Sequence, residues 1–108
     1  MSDAELRELD AWIAKHVFDW WRPIETKDIW KTPANDVKMG TPKYSTDPAA
    51  AMEVLEKLAE QHWPGFTKTG NSWTWSYYGK YHTAPTLELA ICLFAKQLFS
   101  HPNHGGGK

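Results

Sequence analysis

The sequence predicts an α+β fold, with three helices and a small, mainly antiparallel sheet between them. Apolar residues recur at three- and four-residue steps in three separate stretches, as amphipathic helices require. Gly70-Asn71 stands between two short β-prone runs and reads as a two-residue hairpin turn. A hairpin cannot protect both of its faces alone. The third helical stretch is apolar nearly all round, so helices are expected over both faces of the sheet.

The first helix is expected over Ser2 to Trp20. Ser2-Asp3-Ala4-Glu5 fits a capping box, in which Ser2 and Glu5 satisfy each other's free backbone donors. Leu6, Leu9, Ile13, Val17 and Trp20 make one apolar stripe, bordered by His16. Pro23 ends it. Trp20 and Trp21 then lie about 100° apart, with Trp20 on the core stripe and Trp21 off it.

From Pro23 to Thr46 the period dissolves. Weak alternation at Asp28-Ile29-Trp30-Lys31 and Asp36-Val37-Lys38-Met39 suggests one or two short edge strands. Thr46-Asp47-Pro48 starts the second helix, which runs to about Gln61 before Trp63-Pro64-Gly65. Ala51, Met52, Leu55, Leu58, Ala59 and His62 should line its core side, with Glu53 and Lys57 spaced to pair on the other. The hairpin occupies Phe66 to Tyr78, with Trp73, Trp75 and Tyr77 on one face and Gly79 as a bulge or strand end. Thr83-Ala84-Pro85 starts the third helix, which continues to about Phe99. Its stripe is Leu87, Ala90, Ile91, Phe94 and Leu98, while Leu89, Cys92, Leu93 and Phe99 lie off it.

A chain of 108 residues makes one domain, placed at residues 1–100, with residues 101–108 a flexible tail. A net charge of −1 implies no general attraction to nucleic acid or to acidic membrane. One cysteine excludes an internal disulfide, and no apolar run is long enough to span a bilayer. The charged residues beginning at Asp3 do not read as a signal peptide. The expected compartment is therefore a reducing cytoplasm.

Three blocks resemble the phage ABA-sandwich domain family. They are Glu8-Leu9-Asp10-Ala11 running on to Trp20-Trp21-Arg22-Pro23, then Tyr44-Ser45-Thr46-Asp47-Pro48-Ala49-Ala50-Ala51 with Val54-Leu55-Glu56-Lys57, then Thr83-Ala84-Pro85 with Ala90-Ile91-Cys92-Leu93. The resemblance implies an α-β-α layered sandwich and a phage or prophage origin. It implies no reaction and no catalytic residues.

No constellation for catalysis stands out. Cys92 lies mid-helix among apolar neighbours, where a thiol behaves as a small hydrophobe. His16 and His62 border apolar stripes and read as edge-of-core histidines. His101 and His104 lack a Cys, Asp or Glu nearby and make a poor metal site. Neither a metal nor a cofactor is expected. The aromatic row Trp73, Trp75, Tyr77 could stack bases, but with no basic run beside it the core reading is preferred.

The long segment after Arg22 is the best candidate for function, because loops of this length in small domains are usually functional or disordered. It offers Trp21, Arg22, Lys27, Trp30, Lys31, Lys38 and Met39, residue types that anchor protein interfaces. The bland reading is a loop pinned to the body by its own tryptophans. The expectation is a non-enzymatic protein that binds and blocks a host protein, as anti-CRISPR and other anti-defence proteins do, without direct nucleic-acid or membrane binding. The alternative is a binder of a small ligand such as a signalling nucleotide, in an aromatic pocket; a small hydrolase is the third reading. Self-association through Leu89, Leu93 and Phe99 is expected if a second copy must cover them.

Overall fold

A computed structural model describes residues 2–24, 26–60 and 65–100. The expectations for Gln61, His62, Trp63, Pro64 and the tail lie outside these residues. The order is α1 (Asp3–His16), β1 (Ile29–Lys31), β2 (Val37–Met39), α2 (Pro48–Ala59), β3 (Thr67–Thr69), β4 (Ser72–Tyr77), β5 (Lys80–Ala84) and α3 (Leu87–Phe99). The fold is α+β, with three helices and antiparallel sheets as expected. β3, β4 and β5 form one sheet; β1 and β2 form a separate hairpin.

The capping box on α1 is formed, with the Ser2 hydroxyl accepting from Glu5 N–H and the Glu5 carboxylate from Ser2 N–H. The helix stops at His16, four residues before the predicted end. Asp19 has a φ of 61°, and Trp20 N–H donates back to the Ala14 carbonyl at 2.9 Å. Asp tolerates this left-handed geometry better than most residues, so the chain reverses before Pro23 acts. Trp20 and Trp21 are therefore not helical, and their separation has another cause, described below.

α3 is the hub. It packs against β4 and β5 and against both α1 and α2. Leu9, Ile13 and Val17 of the predicted first stripe are buried, as are Ala90, Ile91 and Phe94 of the third. Leu89 and Cys92, expected to need cover, are buried within the one chain, Leu89 at 8% exposed; Leu93 and Phe99 are half-buried against the same core. Most of the surface that argued for a dimer is thus already covered.

The second helix is turned from its predicted setting. Ala50, Ala51, Val54 and Leu58 are buried, whereas Leu55 is half-buried and Met52 exposed. Ala51 and Leu58 are buried as expected, and the smaller Ala50 and Val54, which let helices approach closely, take the places expected of Met52 and Leu55. On its outer side Lys57 pairs with Glu60 at 3.7 Å, not with Glu53.

β5 was not anticipated. Tyr77 faces Lys80 across Tyr78-Gly79, both at positive φ (52° and 76°), the backbone of a type I′ hairpin turn. Tyr in the first place hides that signal, since Asn or Asp is usual there. Thr83 and Ala84 consequently belong to a strand, and Thr86 caps α3 by accepting from Leu89 N–H. The Gly70-Asn71 turn forms as expected, joining Thr69 to Ser72. The aromatic row fills the interface of sheet and helix. Trp75 is buried, its indole N–H donates to Gln97 Oε1 at 2.8 Å, and Phe66 and Phe94 pack edge-on.

Candidate functional site

Two short strands and a bridge build the site. Trp21 and Lys31 exchange backbone hydrogen bonds of 3.0 and 2.8 Å, so residue 21 acts as a one-residue strand beside β1. Strand geometry sends successive side chains to opposite faces. Trp20 and Arg22 therefore turn inward and Trp21 outward. The pair separates by the two-residue period of a strand, not by 100° on a helix.

The inner face holds Trp30, which is 2% exposed. Its ring lies 6.4 Å from that of Trp20, and the Arg22 guanidinium stacks over it at 4.3 Å. Its indole N–H donates to Asp28 Oδ1 at 3.1 Å and Thr41 Oγ1 at 3.0 Å. Trp30 is a pin for the segment, which corrects its expected place in an exposed binding layer with Trp21.

Asp28 is the knot of this loop, and sequence reasoning passed over it. It accepts from the Thr41 hydroxyl at 2.6 Å, from Thr41 N–H, from Trp30 and from Arg22 Nη2 at 3.3 Å. The hydrogen bond from the Thr41 side chain, then those from Trp30 and the Thr41 backbone, with the Arg22 charge behind them, holds its carboxyl below the ordinary value. Gly40, at φ 85°, donates to the Asp28 carbonyl at 2.7 Å and closes the loop.

The outer face is apolar. Directly opposed residues share a face, and the pairs are Trp21 with Lys31, Lys31 with Val37, and Ile29 with Met39. Trp21 is 50% exposed, Val37 56% and Met39 77%; Ile29 is half-buried. Lys31 crosses the middle of this face and donates to Asn35 Oδ1 at 3.1 Å. Lys27 is exposed, and so is Lys38, which stands opposite Trp30 in the register and therefore on the other face of the hairpin. Of the seven expected residues, Trp21, Lys31 and Met39 thus share one surface. Lys38, Arg22 and Trp30 belong to the opposite face, and Lys27 precedes the hairpin. Ile29 and Val37 belong to the surface and were missed; the alternation in the strands was the signal that could have found them.

A second feature adjoins this hairpin. A groove of about 330 Å³ runs between Glu8, Trp12, Lys15 and His16 of α1 and Trp21, Arg22 and Trp30. Trp12 and His16 stack at 4.5 Å. Elsewhere Cys92 is buried, and burial, then the nearby Asp10 and Glu88 charges, push its thiol up, which suits a packing residue and not a nucleophile. Among the described residues no cluster of three His, Cys, Asp or Glu could hold a metal ion, and no helix is long and apolar enough to cross a membrane.

The family model of the phage ABA sandwich domain matches residues 11–95. The chain belongs to that family. The matched span of this phage ABA sandwich protein holds the whole outer face and most of the groove. The solved structure of a phage protein from Bacillus cereus ATCC 14579 is similar, with a TM-score of 0.65 and 23% identity over 90% of this chain and 89% of that one. That likeness shows the fold of the phage ABA sandwich protein and nothing finer. No curated protein matches the chain.

Proposed function

We propose that this phage-family protein is a non-enzymatic inhibitor that binds a protein of the bacterial host and blocks it by contact, as small anti-defence proteins do. The reading is carried by the outer face of the β1–β2 hairpin, where Trp21, Ile29, Val37 and Met39 align around Lys31. A folded protein seldom leaves aromatic, branched and thioether side chains side by side in water, and such patches mark interaction sites. Trp and Met are enriched in interfaces. The Asp28 knot and Trp30 hold the face rigid from beneath, which lowers the entropy that binding must remove. Residues 21–43 carry five lysines and arginines against three acids, although the whole chain has a net charge of −1. The partner surface is accordingly an apolar cleft with an acidic rim. On this reading the protein acts in the host cytoplasm, where Cys92 stays reduced.

The test is affinity capture of the full chain from the bacterial host, repeated with Val37→Glu and Met39→Glu, two changes at exposed positions. A host protein retained by the parent and lost with both variants supports the reading. Identical captures with all three proteins contradict it.

A further inference from the structure

We infer that the groove between α1 and the Trp21–Trp30 segment is a binding site for a small heteroaromatic anion of the nucleoside monophosphate class, adjoining the protein-binding face and sharing Trp21 with it. Spacing on α1 sets one wall. Glu8, Trp12, Lys15 and His16 recur on one side of the helix, while Leu9, Ile13 and Ala14 occupy the buried side. The opposite wall is Trp21 and Arg22, with Trp30 at the base. At about 330 Å³ the groove has the size of the smaller ligand sites.

Its chemistry selects the ligand. His16 is exposed and already flat against Trp12, with 27° between the ring planes, and Trp21 presents a half-exposed indole from the other wall. A planar ring entering here meets the exposed His16 ring on one wall and the Trp21 indole on the other, and bases stack on such aromatic groups whatever their sequence. Among the charged groups, Lys15 and Arg22 outnumber Glu8. Arg22 spends one Nη on Asp28, and its Nε is shielded from solvent with no partner among the described residues. That shielded atom is out of a ligand's reach, so the exposed Lys15 ammonium is the group that meets a phosphate or carboxylate oxygen, with a charge-assisted hydrogen bond. A cationic ligand is disfavoured, because the protein's own cations hold the rings it would seek: Arg22 lies over Trp30, and Lys96 over Trp12 at 5.9 Å.

The experiment is a titration of the full chain with AMP, adenosine and inorganic phosphate in parallel, followed by tryptophan fluorescence and by the His16 ring resonances in NMR. Lys15→Gln and His16→Ala, both at exposed positions, are the test variants, and Lys57→Ala on α2, outside the groove and the outer face, is the control. The expected result is sub-millimolar AMP binding that shifts His16, weakens about tenfold or more in each test variant, and is unchanged in Lys57→Ala. Adenosine and phosphate should each bind far more weakly than AMP. No response at about 5 mM AMP, where even a millimolar site is mostly filled, overturns the inference. So does equal affinity for adenosine or phosphate alone, or full binding by both test variants. Because Val37 and Met39 lie outside the groove, this result stands apart from the capture experiment above.

Discussion

Trp30 and Trp21 belong to one small sheet yet carry opposite duties, because opposite faces of a strand meet opposite environments. Trp30 is enclosed, stacked by Arg22 and bonded through its indole N–H to Asp28 and Thr41. Replacing it with Ala should cost about 3–5 kcal/mol, read as a lower melting temperature and denaturant midpoint. Trp21→Ala, at a half-exposed position, should leave both nearly unchanged. Equal loss of stability in the two variants would show that Trp21 is also a pin. Asp28 adds a dependence on pH. Its carboxyl is held below 3.8, so the charged form is favoured in the folded state. That stabilisation is therefore complete above the ordinary carboxylate value and disappears as pH falls through the lower folded value. The melting temperature of the parent should exceed that of Asp28→Asn at neutral pH, and the gap should close below about pH 3.8. A gap that widens in acid would reverse the assigned sign.

At the scale of elements, the helices and the first hairpin turn were readable because their signals are local. Ser2 and Glu5, Asp47 and Pro48, and Gly70 each act within four residues of their own position. What escaped depended on partners or on disguised geometry. The end of α1 rests on a positive φ at Asp19, and β5 on a Tyr78-Gly79 turn without the usual Asn or Asp. The setting of α2 rests on which face α3 accepts, and four side chains beginning with two alanines were chosen over Met52 and Leu55. Ile91→Ala should consequently cost about 2–5 kcal/mol, while Leu55→Ala, at a half-buried position, should cost clearly less. Equal midpoint shifts in chemical denaturation would mean that α2 presents Leu55 to the core after all. The outer face of the β1–β2 hairpin was half legible. The two strands were visible as weak alternation, but the bridge from Trp21 to Lys31 joins residues ten apart and follows no sequence motif.

The whole molecule divides into a body and a presented surface. α3 gathers α1, α2 and the three-stranded sheet into one core, and the β1–β2 hairpin is tied to that body by Trp30 and Trp20. Asp10 adds a buried tie, accepting from Ser45 N–H at 2.8 Å and fixing α1 to the segment that leads into α2. Such an arrangement lets the outer face vary without disturbing the core. The family shares this layered fold, and within it the row Trp21, Ile29, Val37, Met39, half-buried at Ile29 and exposed at the other three, carries the proposed binding role. The most direct test is the affinity of the captured host protein for the parent, for Trp21→Ala and for Lys57→Ala, a surface change on α2 far from the face in sequence, measured by isothermal titration calorimetry. The account predicts that Trp21→Ala lowers affinity about thirtyfold or more, the loss of a central aromatic anchor of about 2 kcal/mol or more, with melting temperature and Lys57→Ala affinity unchanged. Parent-level affinity in a folded Trp21→Ala protein would contradict it.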